Sequence, residues 1–350
     1  MKHVDYILVG GGISGAVLSY TLMKYGASVQ LFDMPGENKS SKVAAGLWNP
    51  VVLKRLKKVW KADEMMEELA EVYPAIEAWT GDQFFDPVPI RRVFHNAGEQ
   101  NDWMGLSSSP AFSPYLNDQI QPLPQGIIGG FESGMMKQTG RLQVVKFMES
   151  VHRKLQETGN FSAEKFLWSD LERDVEGVSY KNLRAHAVIS CEGTQLALGE
   201  SGLQQGGFAP VKGEVLHVKL DKDLGNECIH QGHFMLGEGE QRATVGATYA
   251  WDGFHDGPTA QKREELEEHV NKVYDGAFRV EDHLSGVRPA TKDRRPMVGP
   301  HGELDHTYVF GGMGSRAVLM APFLARVLAE HFMWDGPLLE ECLPGRFATS

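Results

Sequence analysis

A glycine-rich turn near the N-terminus constrains the fold of this chain more than any other feature. Residues 4–9 form a compact apolar run that predicts a buried parallel strand, and residues 13–24 show helical spacing. Gly10, Gly12 and Gly15 lie at their junction in the order G-x-G-x-x-G. The first glycine permits a tight turn, the second lets a pyrophosphate approach the backbone, and the third lets the helix pack closely on the strand.

A second predicted strand, residues 28–32, ends at Asp33, which is 18 residues past Gly15 and is where a ribose-binding acid belongs. The start of the helix, at Ile13 and Ser14, offers free N–H groups and a positive dipole end to phosphates. The complete strand–helix–strand pattern predicts a dinucleotide site. It leaves open whether FAD or NAD binds, because both present adenosine and pyrophosphate to such a unit.

Length and composition narrow the class of protein. A chain of 350 residues favours two lobes sharing a cleft, and a net charge of -11 argues against a stable complex with nucleic acid. The three cysteines, Cys191, Cys228 and Cys342, form no Cys-x-x-Cys pair, so neither a disulfide framework nor a metal site is predicted and a cytoplasmic location is favoured. The N-terminal apolar run is too short for a signal sequence, and no uninterrupted apolar stretch predicts a membrane span.

Later segments carry a family resemblance. They are SSKVAAGLWNP at 40–50, AVISCEG at 187–193, PVKGEV at 210–215, GVRPATKD at 286–293 and GGMGSR at 311–316. In this order they resemble the D-amino-acid oxidase superfamily of FAD-dependent oxidoreductases. Glycine oxidase and the oxidase domain of the bifunctional enzyme that modifies aminomethyl-uridine in tRNA are particularly similar members.

The resemblance implies an α/β fold, α+β overall, in which a Rossmann-like FAD-binding domain is interleaved with a mostly antiparallel substrate-binding domain. The expected boundaries are 1–47, 140–205 and 286–350 for the first domain, and 48–139 and 206–285 for the second. Non-covalent FAD is expected, because no cysteine lies within 286–316, where sarcosine-oxidase-like members carry their covalent link.

Arg288 matches the family's carboxylate-binding arginine in Gly-x-Arg-Pro, and a guanidinium holds a carboxylate through two parallel hydrogen bonds. Arg316 has two interpretations that stay open, a contact to the cofactor or a structural cap. Glu192 departs from the family pattern, because a glutamate close to a pyrophosphate would be repulsive unless it turns to solvent. The resemblance also implies that the following residues bind FAD: Ser41, Ala45, Gly46, Gly193, Gly312, Met313, Gly314 and Ser315.

The activity implied is oxidation of a small amine or amino acid by hydride transfer to flavin N5, with oxygen or another acceptor reoxidising the flavin. Thr244 stands about where sarcosine-oxidase relatives place an oxygen-activating lysine, which favours dehydrogenation over use of oxygen. The alternatives are amine oxidation on tRNA, dehydrogenation of a 2-hydroxy acid, and a flavin-binding module without turnover. The substrate and oligomeric state stay open.

Local patterns complete the predictions. Helical periodicity at 62–79 and 259–274 predicts two helices that cover the substrate-domain sheet. A further helix is predicted at 317–334. Residues 96–127 are rich in Ser, Pro, Asn and Gly, which predicts a lid or irregular loop. His230 and His233 are interpreted as part of a surface hairpin.

Overall fold

A computed structural model describes residues 1–34 and 39–347. Its α-helices are α1 (Ile13–Lys24), α2 (Lys39–Val43), α3 (Ala62–Thr80), α4 (Ala97–Ser107), α5 (Val144–Glu157), α6 (Thr194–Ala197), α7 (Ala260–Val273) and α8 (Ala317–Trp334). Its strands are β1 (Lys2–His3), β2 (Tyr6–Val9), β3 (Val29–Phe32), β4 (Leu47–Trp48), β5 (Val51–Val52), β6 (Lys57–Lys58), β7 (Phe85–Pro87), β8 (Ile90–Val93), β9 (Leu116–Gln121), β10 (Ser133–Met136), β11 (Gly140–Leu142), β12 (Phe161–Ser162), β13 (Leu171–Asp174), β14 (Gly177–Tyr180), β15 (Leu183–Ala185), β16 (Ala187–Ser190), β17 (Val211–Leu220), β18 (Cys228–Gln231), β19 (His233–Gly239), β20 (Arg242–Gly246), β21 (Phe278–Arg288), β22 (Met297–Pro300) and β23 (Thr307–Gly311).

A six-stranded sheet in the order β12-β3-β2-β16-β23-β22 forms the first layer. All its neighbours are parallel except β22 and β23. The central strands β2, β3 and β16 are buried on both faces, as their continuous apolar sequences require. The carboxyl ends of these strands therefore meet at one edge, where a doubly wound sheet binds its ligand.

An eight-stranded sheet in the order β21-β17-β20-β19-β18-β8-β10-β9 forms the second unit. Every pairing is antiparallel except that of β18 with β8. The predicted mixed fold, with a Rossmann-like part and a mostly antiparallel part, is confirmed. The exact domain boundaries stay a prediction, and β21 crosses the expected boundary at 285/286 before it ends at Arg288.

Helix α8 is a core helix that contacts α1 and α3. Within the described ranges, the segment Gly314–Trp334 is long and apolar enough to cross a membrane by length and composition, with a mean hydropathy of 1.3. Its apolar run is interrupted by Arg326 and Glu330, and 61% of it is buried inside the fold. The sequence predicted no apolar stretch long enough to span a membrane. The structure contains this one candidate, which packs in the core of the fold.

The predicted helices are present, since α3 covers 62–80, α7 covers 260–273 and α8 covers 317–334. Helix α7 packs on β17, β19 and β20 of the eight-stranded sheet as expected, but α3 packs mainly on α8 and α5, so its expected place on that sheet is wrong. The hairpin is also confirmed, because β18 pairs with β19 across Gly232. Its expected surface position is wrong for His230, which lines the internal cavity. The predicted irregular loop at 96–127 is wrong, since it contains α4 and β9. Asn96 caps α4 by accepting a hydrogen bond from the N–H of Glu99, and the fully buried Trp103 anchors the helix.

Candidate active site

A cavity of about 860 Å³ begins at the carboxyl ends of β2, β3 and β16 and extends to the inner face of the eight-stranded sheet. This volume lies at the upper end of the range for small-molecule sites. Residues from both sheets line it. The cavity therefore joins the dinucleotide pattern of the N-terminus to the predicted substrate-binding strands.

The glycine turn is shaped by close backbone contacts. Gly10 has φ +99°, and a Cβ there would lie 2.8 Å from the carbonyl oxygen of Cys191. A Cβ on Gly15 would lie 1.9 Å from the carbonyl oxygen of Gly10, so the helix packs tightly on the strand end. Helix α1 starts at Gly12 with no side-chain cap, which leaves its first N–H groups free for a phosphate.

Asp33 lines the cavity at the end of β3, and its Oδ1 accepts a hydrogen bond of 2.9 Å from the N–H of Gly11. This contact fixes the carboxylate beside the glycine turn. His152 lies against the same turn, with Nε2 2.7 Å from the carbonyl oxygen of Gly11. Burial lowers the pKa of His152, which favours its neutral form. Sequence reasoning missed this histidine, because it comes from α5 and follows no motif.

The structure brings most of the predicted site residues to the cavity wall, while Gly15, Gly312 and Met313 lie just behind it. Met313 still touches the turn, because its sulfur lies 3.7 Å from the hydroxyl of Ser14. The arrangement of an uncapped helix end, a glycine cradle and an acid fits an FAD pyrophosphate and ribose. The contacts that the individual site residues make to the cofactor stay predictions. The lining residues are Gly10, Gly12, Ile13, Ser14, Asp33, Ser41, Ala45, Gly46, Gly193, Arg288, Gly314, Ser315 and Arg316.

Glu192 does not turn to solvent. Its Oε2 accepts hydrogen bonds from the indole of Trp168 at 3.0 Å and the hydroxyl of Ser190 at 2.8 Å. Burial raises the pKa of Glu192 to about 7, although these hydrogen bonds favour the charged form. The expected repulsion of a pyrophosphate is thus reduced by partial protonation and by donors within the protein.

Arg288 ends β21 and reaches into the cavity. Its Nη1 donates to the carbonyl oxygens of Thr248 at 3.2 Å and Lys212 at 3.4 Å. A Cβ on Gly213 would lie 2.2 Å from Nη2, so only glycine leaves room for this guanidinium. Among the described residues, no carboxylate lies within 4.0 Å of it, and burial lowers the pKa of Arg288. The guanidinium is held in place by neutral groups and lacks a countercharge.

Two further residues of the wall had no clear sequence signal. Tyr249 lies under Arg288, with the guanidinium carbon 4.7 Å from the ring centroid. His230 faces the cavity from β18, and burial together with the nearby charge of Arg92 lowers its pKa to about 4. Its imidazole is therefore uncharged at neutral pH. Trp48 lines the cavity and its ring also stacks on Phe85. The same side chain therefore packs in the fold and forms part of the pocket.

Thr244 lies outside the cavity wall. It is 2% exposed and its hydroxyl lies 3.1 Å from Nδ1 of His217. Within the described part of the chain, Lys165 is the one lysine in the wall, and it lies on the side of Glu192. No group of three or more potential metal ligands occurs among the described residues.

Comparisons with known proteins agree on one family. Residues 5–331 match the DAO family, described as FAD dependent oxidoreductase. Glycine oxidase of Bacillus licheniformis is 24% identical over 95% of this chain and 94% of its own length. The bifunctional protein MnmC of Marinobacter nauticus, named for tRNA 5-methylaminomethyl-2-thiouridine biosynthesis, is 22% identical over 98% of this chain, which spans 58% of that protein.

Solved structures show the same fold. Iminodiacetate oxidase from Chelativorans sp. BNC1 superposes with a TM-score of 0.79 at 19% identity, covering 97% of this chain and 99% of that one. Glycine oxidase from Bacillus cereus ATCC 14579 superposes with a TM-score of 0.74 at 17% identity, covering 95% and 96%. The likeness in fold extends over almost the whole chain.

Proposed function

Because this chain belongs to the DAO family of FAD-dependent oxidoreductases, we propose that it oxidises a small amine that carries a carboxylate, such as an amino acid or an N-substituted amino acid. The single observation that carries the proposal is the guanidinium of Arg288, which lies in the cavity without a countercharge. Relatives named glycine oxidase and iminodiacetate oxidase support the substrate class.

FAD, when bound, accepts a hydride at its N5 atom and so takes two electrons from a C–H bond next to the amine. The glycine turn and the N-terminus of α1 would hold its pyrophosphate, and Asp33 its ribose. The chain's own contribution is orientation. Arg288 would bind the carboxylate through two hydrogen bonds and fix the neighbouring carbon.

The cavity wall also contains an uncharged imidazole, which lies on β18. His230 is uncharged, so it adds no repulsion to an ammonium that must lose a proton, and it can accept a hydrogen bond. Loss of the hydride and of one amine proton gives an imine, which water splits to a carbonyl compound and the remaining amine. The two electrons pass to oxygen or another acceptor.

The test is an absorbance spectrum of the purified holoprotein, followed without oxygen as amino acids, N-methyl amino acids and 2-hydroxy acids are added. Bleaching of the oxidised flavin bands by amines that carry a carboxylate is expected. Readmitting oxygen then separates an oxidase from a dehydrogenase. Bands that no amine bleaches would overturn the proposal in favour of an RNA substrate or a protein without turnover, and bleaching by hydroxy acids alone would reassign the reaction.

The cytoplasmic location predicted from the cysteines is carried forward as a proposal. It is supported by the three cysteines, which are buried free thiols. Cell fractionation with an antibody against the native protein tests it, and recovery outside the cytoplasmic fraction would contradict it.

A further inference from the structure

A second guanidinium opens into the same cavity. Arg316 precedes α8 at its N-cap position and forms part of the wall. In the described part of the chain, no carboxylate lies within ion-pair distance of its side chain, and no side-chain hydrogen bond joins it to a neighbour. A largely buried cation without a partner is costly, so such a group is stable chiefly where an anion completes its surroundings.

The two arginines come from neighbouring segments of the wall. The ring of Tyr249 lies against the guanidinium of Arg288. The N–H of Gly314 donates a hydrogen bond of 3.2 Å to the carbonyl oxygen of Pro289, which joins the segment before Arg316 to the segment after Arg288. Burial lowers the pKa of both arginines, and Tyr249 opposes this effect at each of them. Arg288 and Arg316 are therefore two cations of one cavity wall, carried by segments that are hydrogen-bonded to each other.

The wall also contains four carboxylates, Asp33, Glu164, Glu192 and Glu200. Glu200 already has a partner, because its Oε1 lies 3.5 Å from Nε2 of His255. Glu164 pairs with Lys181 at 2.6 Å, Asp33 accepts a hydrogen bond from Gly11, and Glu192 accepts one from Trp168. Among the described residues, these carboxylates therefore have partners other than the two arginines.

We propose that this cavity takes an amine with two acidic groups, one bound by Arg288 and the second bound by Arg316. An N-carboxymethyl amino acid or an amino dicarboxylic acid has this chemistry. The inference rests on the proposed function and assigns its substrate class. Arg316 is then a specificity residue that distinguishes a dianion from an amino acid with one carboxylate. In the alternative interpretation Arg316 contacts the cofactor, and the anion that it binds is then part of FAD.

The experiment measures binding without turnover. Thiodiacetate carries two carboxylates and methylthioacetate carries one, and neither has an amine to oxidise. Each is titrated into the FAD-loaded full chain, and its Kd is obtained from the change in flavin absorbance. The wild type should bind thiodiacetate about 10- to 100-fold more tightly than methylthioacetate, the range that a hydrogen-bonded ion pair contributes.

Arg316→Gln should abolish this preference and leave the Kd of methylthioacetate within about 3-fold of wild type, whereas Arg316→Lys should keep part of it. Arg326→Gln is the matched control, because Arg326 lies on the same helix and pairs with Glu68 and Glu330 outside the cavity wall. It should leave the preference unchanged. The affinity of each variant for FAD is measured separately by quenching of flavin fluorescence.

Equal Kd values for the two ligands in the wild type would overturn the inference. So would an Arg316→Gln variant that weakens FAD binding and both ligands alike, because Arg316 would then serve the cofactor. A preference for thiodiacetate that depends on Arg316 supports the inference even where no amine bleaches the flavin. In that case the proposed oxidation fails and the dianion site stands, so the two failures are distinguishable.

Discussion

Two groups of buried charges lie on opposite faces of β17 and differ in how they are neutralised. On one face Glu214, 1% exposed, has Lys212 Nζ at 3.4 Å and His283 Nε2 at 2.9 Å, and it accepts a hydrogen bond from the N–H of Thr259. On the other face Gly213 makes room for Arg288, whose partners are two carbonyl oxygens and the ring of Tyr249, all uncharged. Successive strand residues alternate between faces, so three adjacent residues serve both groups.

The difference separates a structural cluster from a binding site. Charges that neutralise one another within the fold lock β17, β21 and the start of α7 together. A charged side chain that lines a cavity without a countercharge contributes little to the stability of the fold and is available to bind a ligand. The following predictions test this distinction from the largest expected effect to the smallest.

Glu214→Ala should lower the free energy of unfolding by about 3–5 kcal/mol, because it leaves Lys212 buried without a countercharge. Urea denaturation followed by circular dichroism measures the loss. Glu281→Ala is the control on β21, where the glutamate is 33% exposed and pairs with Arg279, and its loss should stay below about 1 kcal/mol. Equal losses in the two variants would contradict the distinction.

Arg288→Ala should reduce kcat/KM for carboxylate amines by roughly 100- to 1000-fold, since the substrate loses its charged partner. Anaerobic flavin reduction in a stopped-flow instrument measures it. FAD should stay bound, and the free energy of unfolding should change far less than in Glu214→Ala. Unchanged kinetics would show that Arg288 is not the substrate anchor.

Glu192 belongs to neither group, because it is buried in the cavity wall with uncharged hydrogen-bond donors. The folded chain keeps its proton up to about pH 7, whereas the unfolded chain loses it near 4.5. Folding is therefore favoured less as the pH rises from 4.5 through 7. This loss amounts to about 2–3 kcal/mol in the apoprotein.

Glu192→Gln should remove that pH dependence, so the difference in free energy of unfolding between wild type and variant should change sharply between pH 5 and pH 8. Urea denaturation of the two apoproteins at both values gives this difference. The same carboxylate faces the predicted cofactor site, so the affinity of wild-type protein for FAD should weaken above pH 7 more than that of the variant. A constant difference at the two pH values would show that Glu192 stays ionised throughout.

Gly213→Ala should displace the guanidinium of Arg288, since the added methyl group would lie 2.2 Å from Nη2. The side chain can move, so a loss of about 10-fold in kcat/KM is expected rather than complete inactivity. In the Arg288→Ala background the same substitution should cost almost nothing, because the clashing group is gone. Additive effects in the double variant would place the cause outside the Arg288 contact.

The sequence predicted the features that depend on neighbouring residues and missed those that depend on contacts between distant residues. The turn at Gly10 follows from backbone sterics, and the apolar periodicity of α3, α7 and α8 was sufficient to predict them. The helix α4 was missed because its stability comes from an Asn96 cap and a buried Trp103 within a polar segment. The inward turn of Glu192 was also missed, since its partner Trp168 lies 24 residues away in sequence.

The sequence by itself determined the strand–helix–strand unit, because glycine positions and apolar runs act over a few neighbouring residues. Its later motifs carried the resemblance to a family that uses FAD. Only the tertiary structure decided what surrounds each charged group. Strand register pairs Val211 with Arg288 across β17 and β21, which places the guanidinium over Gly213. The chain after β20 brings the ring of Tyr249 against the same guanidinium. Such contacts depend on the pairing of distant segments, which no local pattern encodes.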